Sequence, residues 1–81
     1  MRYILFVRES CPFCVEAQNL LQETGAEYSV INFDENQNSI LQEVKNAYDW
    51  NTVPMIFQRE GNNINFIGGY TDLVGSLNNE R

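Results

Sequence analysis

Tyr3-Ile4-Leu5-Phe6-Val7, three polar residues, then Cys11-Pro12-Phe13-Cys14 followed by Val15, Ala17, Leu20 and Leu21: this stretch decides the fold. The apolar run is short, rich in β-formers and not strictly alternating, which predicts a buried strand over residues 3–7. The apolar positions after the cysteines recur at helical spacing and predict a helix over residues 12–24. Pro12 suits the first helical position, where a missing N–H costs nothing. The two cysteines, the only ones in the chain, thus stand where a strand gives way to a helix. The first turn of a helix presents free N–H groups and a partial positive charge. A thiolate placed there is stabilised and becomes a competent nucleophile near neutral pH.

Thr24-Gly25 supplies the stop of this helix, with Gly25 as the left-handed residue. Glu27 to Phe33 reads as a second strand. Strand, helix and strand within so short a span make a βαβ unit, hence two parallel strands. Asp34 to Asn38 is turn-forming, and Ser39 with Gln42 offers a capping box. Ile40, Leu41, Val44, Ala47 and Tyr48 then predict an amphipathic helix over residues 39–49, ended by Asp49-Trp50-Asn51. Met55–Gln58 and Ile64–Ile67 read as two short strands, joined through Arg59–Asn63 as an antiparallel hairpin. Gly68-Gly69 breaks the last strand, and Tyr70 to Asn78 forms a final short helix. The order βαβαββα implies one α/β domain over residues 1–81, with a four-stranded mixed sheet flanked by three helices.

The 81 residues suit one small domain, and the 43% apolar content with five Phe, four Tyr and one Trp indicates a globular chain. No apolar run approaches the roughly 18–20 residues a membrane span needs, so no membrane partner is expected. Residues 1–10 carry Arg2, Arg8 and Glu9 without a long apolar stretch, so no signal peptide is expected. A net charge of −6 with scattered basic residues argues against nucleic-acid binding, which wants a basic stripe. No obvious apolar patch demands a dimer, and a monomer is expected. Two cysteines outside a disulfide scaffold point to a cytoplasmic, reducing setting.

The Cys11-Pro12-Phe13-Cys14 motif has several readings. Zinc needs four ligands, and two Cys with no His fall short unless carboxylates or a second chain contribute. A purely structural disulfide would close too small a loop to stabilise much. Inert buried thiols are a further reading. The strand–CxxC–helix context favours redox chemistry. A second motif, Thr52-Val53-Pro54, puts Pro at the start of a strand, and by base rate alone a trans peptide is favoured. In Gly68-Gly69-Tyr70-Thr71-Asp72 the glycines allow close backbone approach, while Thr71 or Asp72 serves either as a helix cap or beside a carboxylate-binding helix start.

Together the three motifs, in this order and spacing over nearly the whole chain, resemble the dithiol glutaredoxins, including the small bacterial and phage-type members. The resemblance implies a thioredoxin fold with strand order 2-1-3-4, strand 3 antiparallel to strand 1, and a cis peptide before Pro54. It implies a glutathione-dependent thiol–disulfide oxidoreductase with Cys11 as nucleophile and Cys14 as resolving thiol. Glutathione, as reductant and co-substrate, would lie in a groove between the CPFC loop, the TVP turn and the GGYTD turn. Val53 would pair its main chain with the cysteine of glutathione, and Phe13, Thr52, Pro54, Gly69 and Tyr70 would line the groove. Thr71 and Asp72 would meet the γ-glutamyl end, with Asp72 accepting from its amino group. Arg8 matches a position that is often Lys or Arg and would face the glycine carboxylate or steady the thiolate. No metal is expected. Disulfide-containing or glutathionylated proteins would be the substrates, ribonucleotide reductase being a natural family candidate.

Several departures stand out. Phe13 replaces a frequent Tyr, a loss of at most about 1 kcal/mol in hydrogen bonding. The 58–65 hairpin looks longer than in the shortest relatives, and no Cys follows the Gly-Gly turn. Alternative readings are an electron donor fed by thioredoxin reductase, whose relatives carry a motif other than GGYTD, and a glutathione-ligated [2Fe–2S] carrier. Pro12 and Cys14 argue against the carrier. A glutathione-binding module without turnover is disfavoured by the intact Cys14.

Overall fold

The computed structural model describes residues 2–79. The elements are β1 (Arg2–Val7), α1 (Pro12–Glu23), β2 (Glu27–Asn32), a 3₁₀ turn (Glu35–Gln37), α2 (Asn38–Ala47), β3 (Met55–Glu60), β4 (Asn63–Gly68) and α3 (Tyr70–Asn79). The sheet order is β2-β1-β3-β4. β1 and β2 are parallel, and β3 runs antiparallel to both β1 and β4. The expected order and strand directions are therefore present.

The sheet is covered on both faces, which explains the unbroken apolar run in β1. Tyr3, Leu5 and Val7 join Cys14, Ala17 and Leu21 of α1, Ile56 of β3 and Leu73 of α3 in one buried cluster. The intervening Ile4 and Phe6 pack on the other face against Phe33, Leu41, Met55 and Phe57. Burying one Leu, Ile or Phe contributes about 1.5–3 kcal/mol, so these two layers dominate the stability.

Helix ends follow from local hydrogen bonds. After α1, Ala26 N–H donates to Leu21 O at 3.0 Å and Gly25 N–H to Gln22 O at 3.1 Å. Gly25 has φ +73°, so the expected left-handed stop is present as a Schellman motif. The same motif ends α2 with Asp49 at φ +51° and Trp50 N–H donating to Lys45 O at 2.8 Å. The capping box differs from the expected one. Asp34 and Gln37 form it, ahead of the 3₁₀ turn, and Asn38 starts α2 without a side-chain cap. The polar run Asp34–Gln37 thus begins helical structure one turn earlier than Ser39.

The hairpin also differs. Its strands extend to Glu60 and Asn63, which pair, leaving Gly61-Asn62 as a two-residue turn. Backbone pairing continues past the last apolar side chain, and Arg59 Nε–H caps Gly61 O at 3.2 Å. At its other end β4 shifts register, with Phe57 opposite Phe66 but Ile56 opposite Gly68. This bulge bends the strand as it delivers Gly68-Gly69.

The topology gathers the three motifs. β1 ends beside the start of β3, with Phe6 opposite Met55, and β4 ends beside it again, with Gly68 opposite Ile56. The segments after β1, before β3 and after β4 therefore emerge at one end of the sheet.

Candidate active site

Cys11 is the N-cap of α1, and its Sγ accepts the Cys14 N–H at 3.2 Å. A sulfur occupies the place of the usual capping oxygen, so the helix start supplies a donor directly to the thiol position. Pro12 follows as the first helical residue. Cys11 and Cys14 are joined as a disulfide with Cα atoms 5.2 Å apart. Cys14 is buried in the core at 2% exposure, whereas Cys11 is half-buried. An incoming reagent therefore reaches the Cys11 sulfur first. Ser10, just before it, holds a left-handed backbone with φ +57° and turns the chain into the helix.

The Val53-Pro54 peptide is cis, as the family resemblance implied and the base rate did not. The Val53 carbonyl oxygen lies 3.8 Å from Cys11 Sγ. Across from it, Asp72 Oδ2 accepts the Gly69 N–H at 2.9 Å, and Leu73 N–H donates to Gly69 O at 3.0 Å. Asp72 is thus a cap for α3, the plainer of its two readings, and its carboxylate stays on the exposed surface. Gly68, at φ +127°, touches that carboxylate closely: a Cβ there would lie 2.7 Å from Asp72 Cγ.

Between these segments lies a groove of about 230 Å³. It is lined by Phe13, by Thr52, Val53 and Pro54, by Gly69, Tyr70, Thr71 and Asp72, and by Trp50. Phe13 is 61% exposed and stacks on Tyr70, with ring centroids 6.2 Å apart and planes 30° from parallel. The two rings form a rim beside the dithiol.

Cys11 and Cys14 open onto a neighbouring cavity of about 490 Å³, lined also by Arg8, Pro12, Val15, Gln18 and Val30. Arg8 lies there and not in the groove, and its guanidinium donates to the Asn38 side chain at the start of α2. Trp50 is the groove residue that the sequence did not single out. It falls outside the three motifs, and the signal for it was the Asp49-Trp50 helix stop. Among the described residues, no cluster of three or more His, Cys, Asp or Glu side chains is placed to hold a metal ion.

The glutaredoxin family model matches residues 3–61. Two solved structures are similar over nearly the whole chain. One is a crystal structure of glutaredoxin 1 from Francisella tularensis complexed with cacodylate, 25% identical, covering 98% of this chain and 94% of that one with a TM-score of 0.77. The other is a solution structure of glutaredoxin from Brucella melitensis, 31% identical, covering 99% and 80% with a TM-score of 0.72. No curated protein sequence matches the chain. The four-stranded sheet with three helices is the thioredoxin fold shared with these structures. A match over residues 3–61, which hold both cysteines and the cis-proline turn, settles the family: the chain belongs to the glutaredoxins, and its Cys11–Cys14 pair is a thiol–disulfide oxidoreductase centre.

Proposed function

We propose that this glutaredoxin uses glutathione as its reductant and reduces glutathionylated and disulfide-containing proteins. One observation carries the proposal: segments far apart in sequence meet in a single groove beside the accessible Cys11 sulfur. The groove suits a short peptide with charged ends. Val53 offers main-chain groups for strand-like pairing. The first turn of α3 offers N–H groups to a carboxylate, and Asp72 offers an acceptor to an ammonium group. Thr52, Thr71 and the Phe13–Tyr70 rim complete the walls.

The chemistry follows from the sulfur positions. The Cys11 thiolate attacks the glutathionyl sulfur of a mixed disulfide, and the substrate's thiolate leaves and takes up a proton. Cys11 is then disulfide-linked to glutathione. A second glutathione thiolate attacks the glutathionyl sulfur, releasing oxidised glutathione and restoring Cys11. For a protein disulfide, the Cys11 thiolate attacks one sulfur and frees the other as a thiolate; the Cys14 thiolate then attacks the Cys11 sulfur of that mixed disulfide, expels the second protein thiolate and leaves the Cys11–Cys14 bond. Two glutathione molecules then reduce that bond. Cavities on both flanks of Cys11 leave room for the two halves of a disulfide. Ribonucleotide reductase belongs among the proposed protein substrates. A cytoplasmic setting is part of the same proposal, because a dithiol cycle needs a reducing pool.

The test separates the two thiols. Cys11→Ser abolishes turnover of a small glutathione mixed disulfide, and Cys14→Ser retains it while losing reduction of protein disulfides. Equal loss of the mixed-disulfide activity in both variants contradicts the assigned roles.

A further inference from the structure

We propose that Trp50 is a positioning residue that sets the width of the groove and hence its affinity for the glutathionyl moiety; this rests on the glutathione reading above. Trp50 lines the groove although it belongs to none of the three motifs. Its indole and the cis-proline turn both approach Gly69. A Cβ built on Gly69 would lie 3.6 Å from Trp50 Cζ2, 3.8 Å from Pro54 O and 4.0 Å from Asp72 Oδ2. The ring therefore lies close to one wall of the groove at Gly69, while Trp50, like Val53 of the other wall, packs against the cluster of Phe33, Leu41, Met55 and Phe57.

Two anchors hold it. The Schellman motif of α2 fixes its backbone, with Trp50 N–H on Lys45 O at 2.8 Å. The ring meets Phe66 edge-to-face, with centroids 5.3 Å apart and planes at 81°. The indole Nε1 is buried and has no hydrogen-bond partner. Burying a donor unpaired is unfavourable, and a Phe or Leu would fill apolar space without it. What the indole adds over those residues is reach: Cζ2 belongs to its second ring, and that is the atom against Gly69. The benefit of the larger ring is thus at the groove wall.

As the chain's one tryptophan, Trp50 also reports on the groove by its own emission. The experiment titrates the dithiol form of the intact protein with S-methylglutathione, which cannot exchange with its thiols, following Trp emission and calorimetric heat in parallel, and compares wild type with Trp50→Ala and Trp50→Phe in steady-state turnover. The expected result is an emission change that tracks binding. Trp50→Ala is expected to raise KM for a glutathione mixed disulfide by about 10-fold and lower kcat by less than about threefold, the pattern of lost ground-state binding. Trp50→Phe is expected to recover part of that loss. Calorimetric binding without any emission change overturns the proposal even if Trp50→Ala fails to fold. So does an unchanged KM in Trp50→Ala, or a fall confined to kcat. Absence of calorimetric binding in wild type overturns the glutathione reading itself, and this proposal with it.

Discussion

The sulfur of Cys11 does two jobs at one position, accepting the Cys14 N–H at 3.2 Å as a helix cap and lying 3.8 Å from the carbonyl oxygen of Val53, a groove residue. Asp72 is similarly double. Its Oδ2 caps Gly69 N–H at 2.9 Å, while the carboxylate belongs to the groove lining. Substitutions separate the two roles. Asp72→Ala removes the acceptor and is expected to cost about 1 kcal/mol of stability, the usual value of such a cap. Asp72→Asn keeps an acceptor oxygen and removes the charge, so it is expected to leave the melting temperature nearly unchanged and to raise KM for a glutathionylated substrate. Thermal melts beside steady-state KM values check both, and an unchanged KM in Asp72→Asn removes the carboxylate from ligand recognition. The residues that could be read from sequence lie inside local motifs: CPFC, TVP and GGYTD each announce themselves by a Cys spacing, a Pro or a Gly pair. Trp50 could not, because its place in the groove depends on where α2 ends and on Phe66, which lies across the sheet. The structure places Arg8 on the far flank of the dithiol, bonded to Asn38, a partner thirty positions away that no local pattern specifies.

At the scale of elements, both ends of each helix were legible to within two residues. Thr24-Gly25 and the Asp49-Trp50 turn mark termini because a left-handed residue is needed there and few residues adopt one readily. The capping box differs from the expected one because Asp34, Ser39, Gln37 and Gln42 can all make capping bonds. Only the approach of the chain from β2 selects Asp34 with Gln37. The strands β3 and β4 outrun their apolar residues for a related reason: polar side chains do not interrupt backbone pairing once the register is set. α3 is the element with most room for improvement. It carries the fully buried Leu73 and the groove residues Tyr70, Thr71 and Asp72, yet has Gly75 in its interior. A Cβ at Gly75 meets nothing within 4 Å. Gly75→Ala is therefore expected to stabilise the protein by about 1 kcal/mol. For a domain of this size that corresponds to a rise in melting temperature of roughly 4–8 °C. A lower melting temperature in calorimetry contradicts the exposed, helical placement of this residue.

For the whole molecule, the alternation of strands and helices was enough to give a four-stranded mixed sheet with three helices, since a βαβ unit fixes parallel strands and the Gly61-Asn62 turn fixes an antiparallel pair. What periodicity could not give was the meeting of three distant motifs at one end of the sheet. That follows from the antiparallel insertion of β3 between β1 and β4, which the family resemblance supplied and the strand register shows. The glutathione proposal depends on this convergence. Its most direct test is steady-state reduction of a small glutathione mixed disulfide, run once with glutathione and glutathione reductase and once with thioredoxin reductase. Rapid turnover with glutathione and none with thioredoxin reductase is the expected result. Turnover with thioredoxin reductase alone would contradict the assignment of the groove to glutathione while leaving the fold and the Cys11–Cys14 redox centre in place.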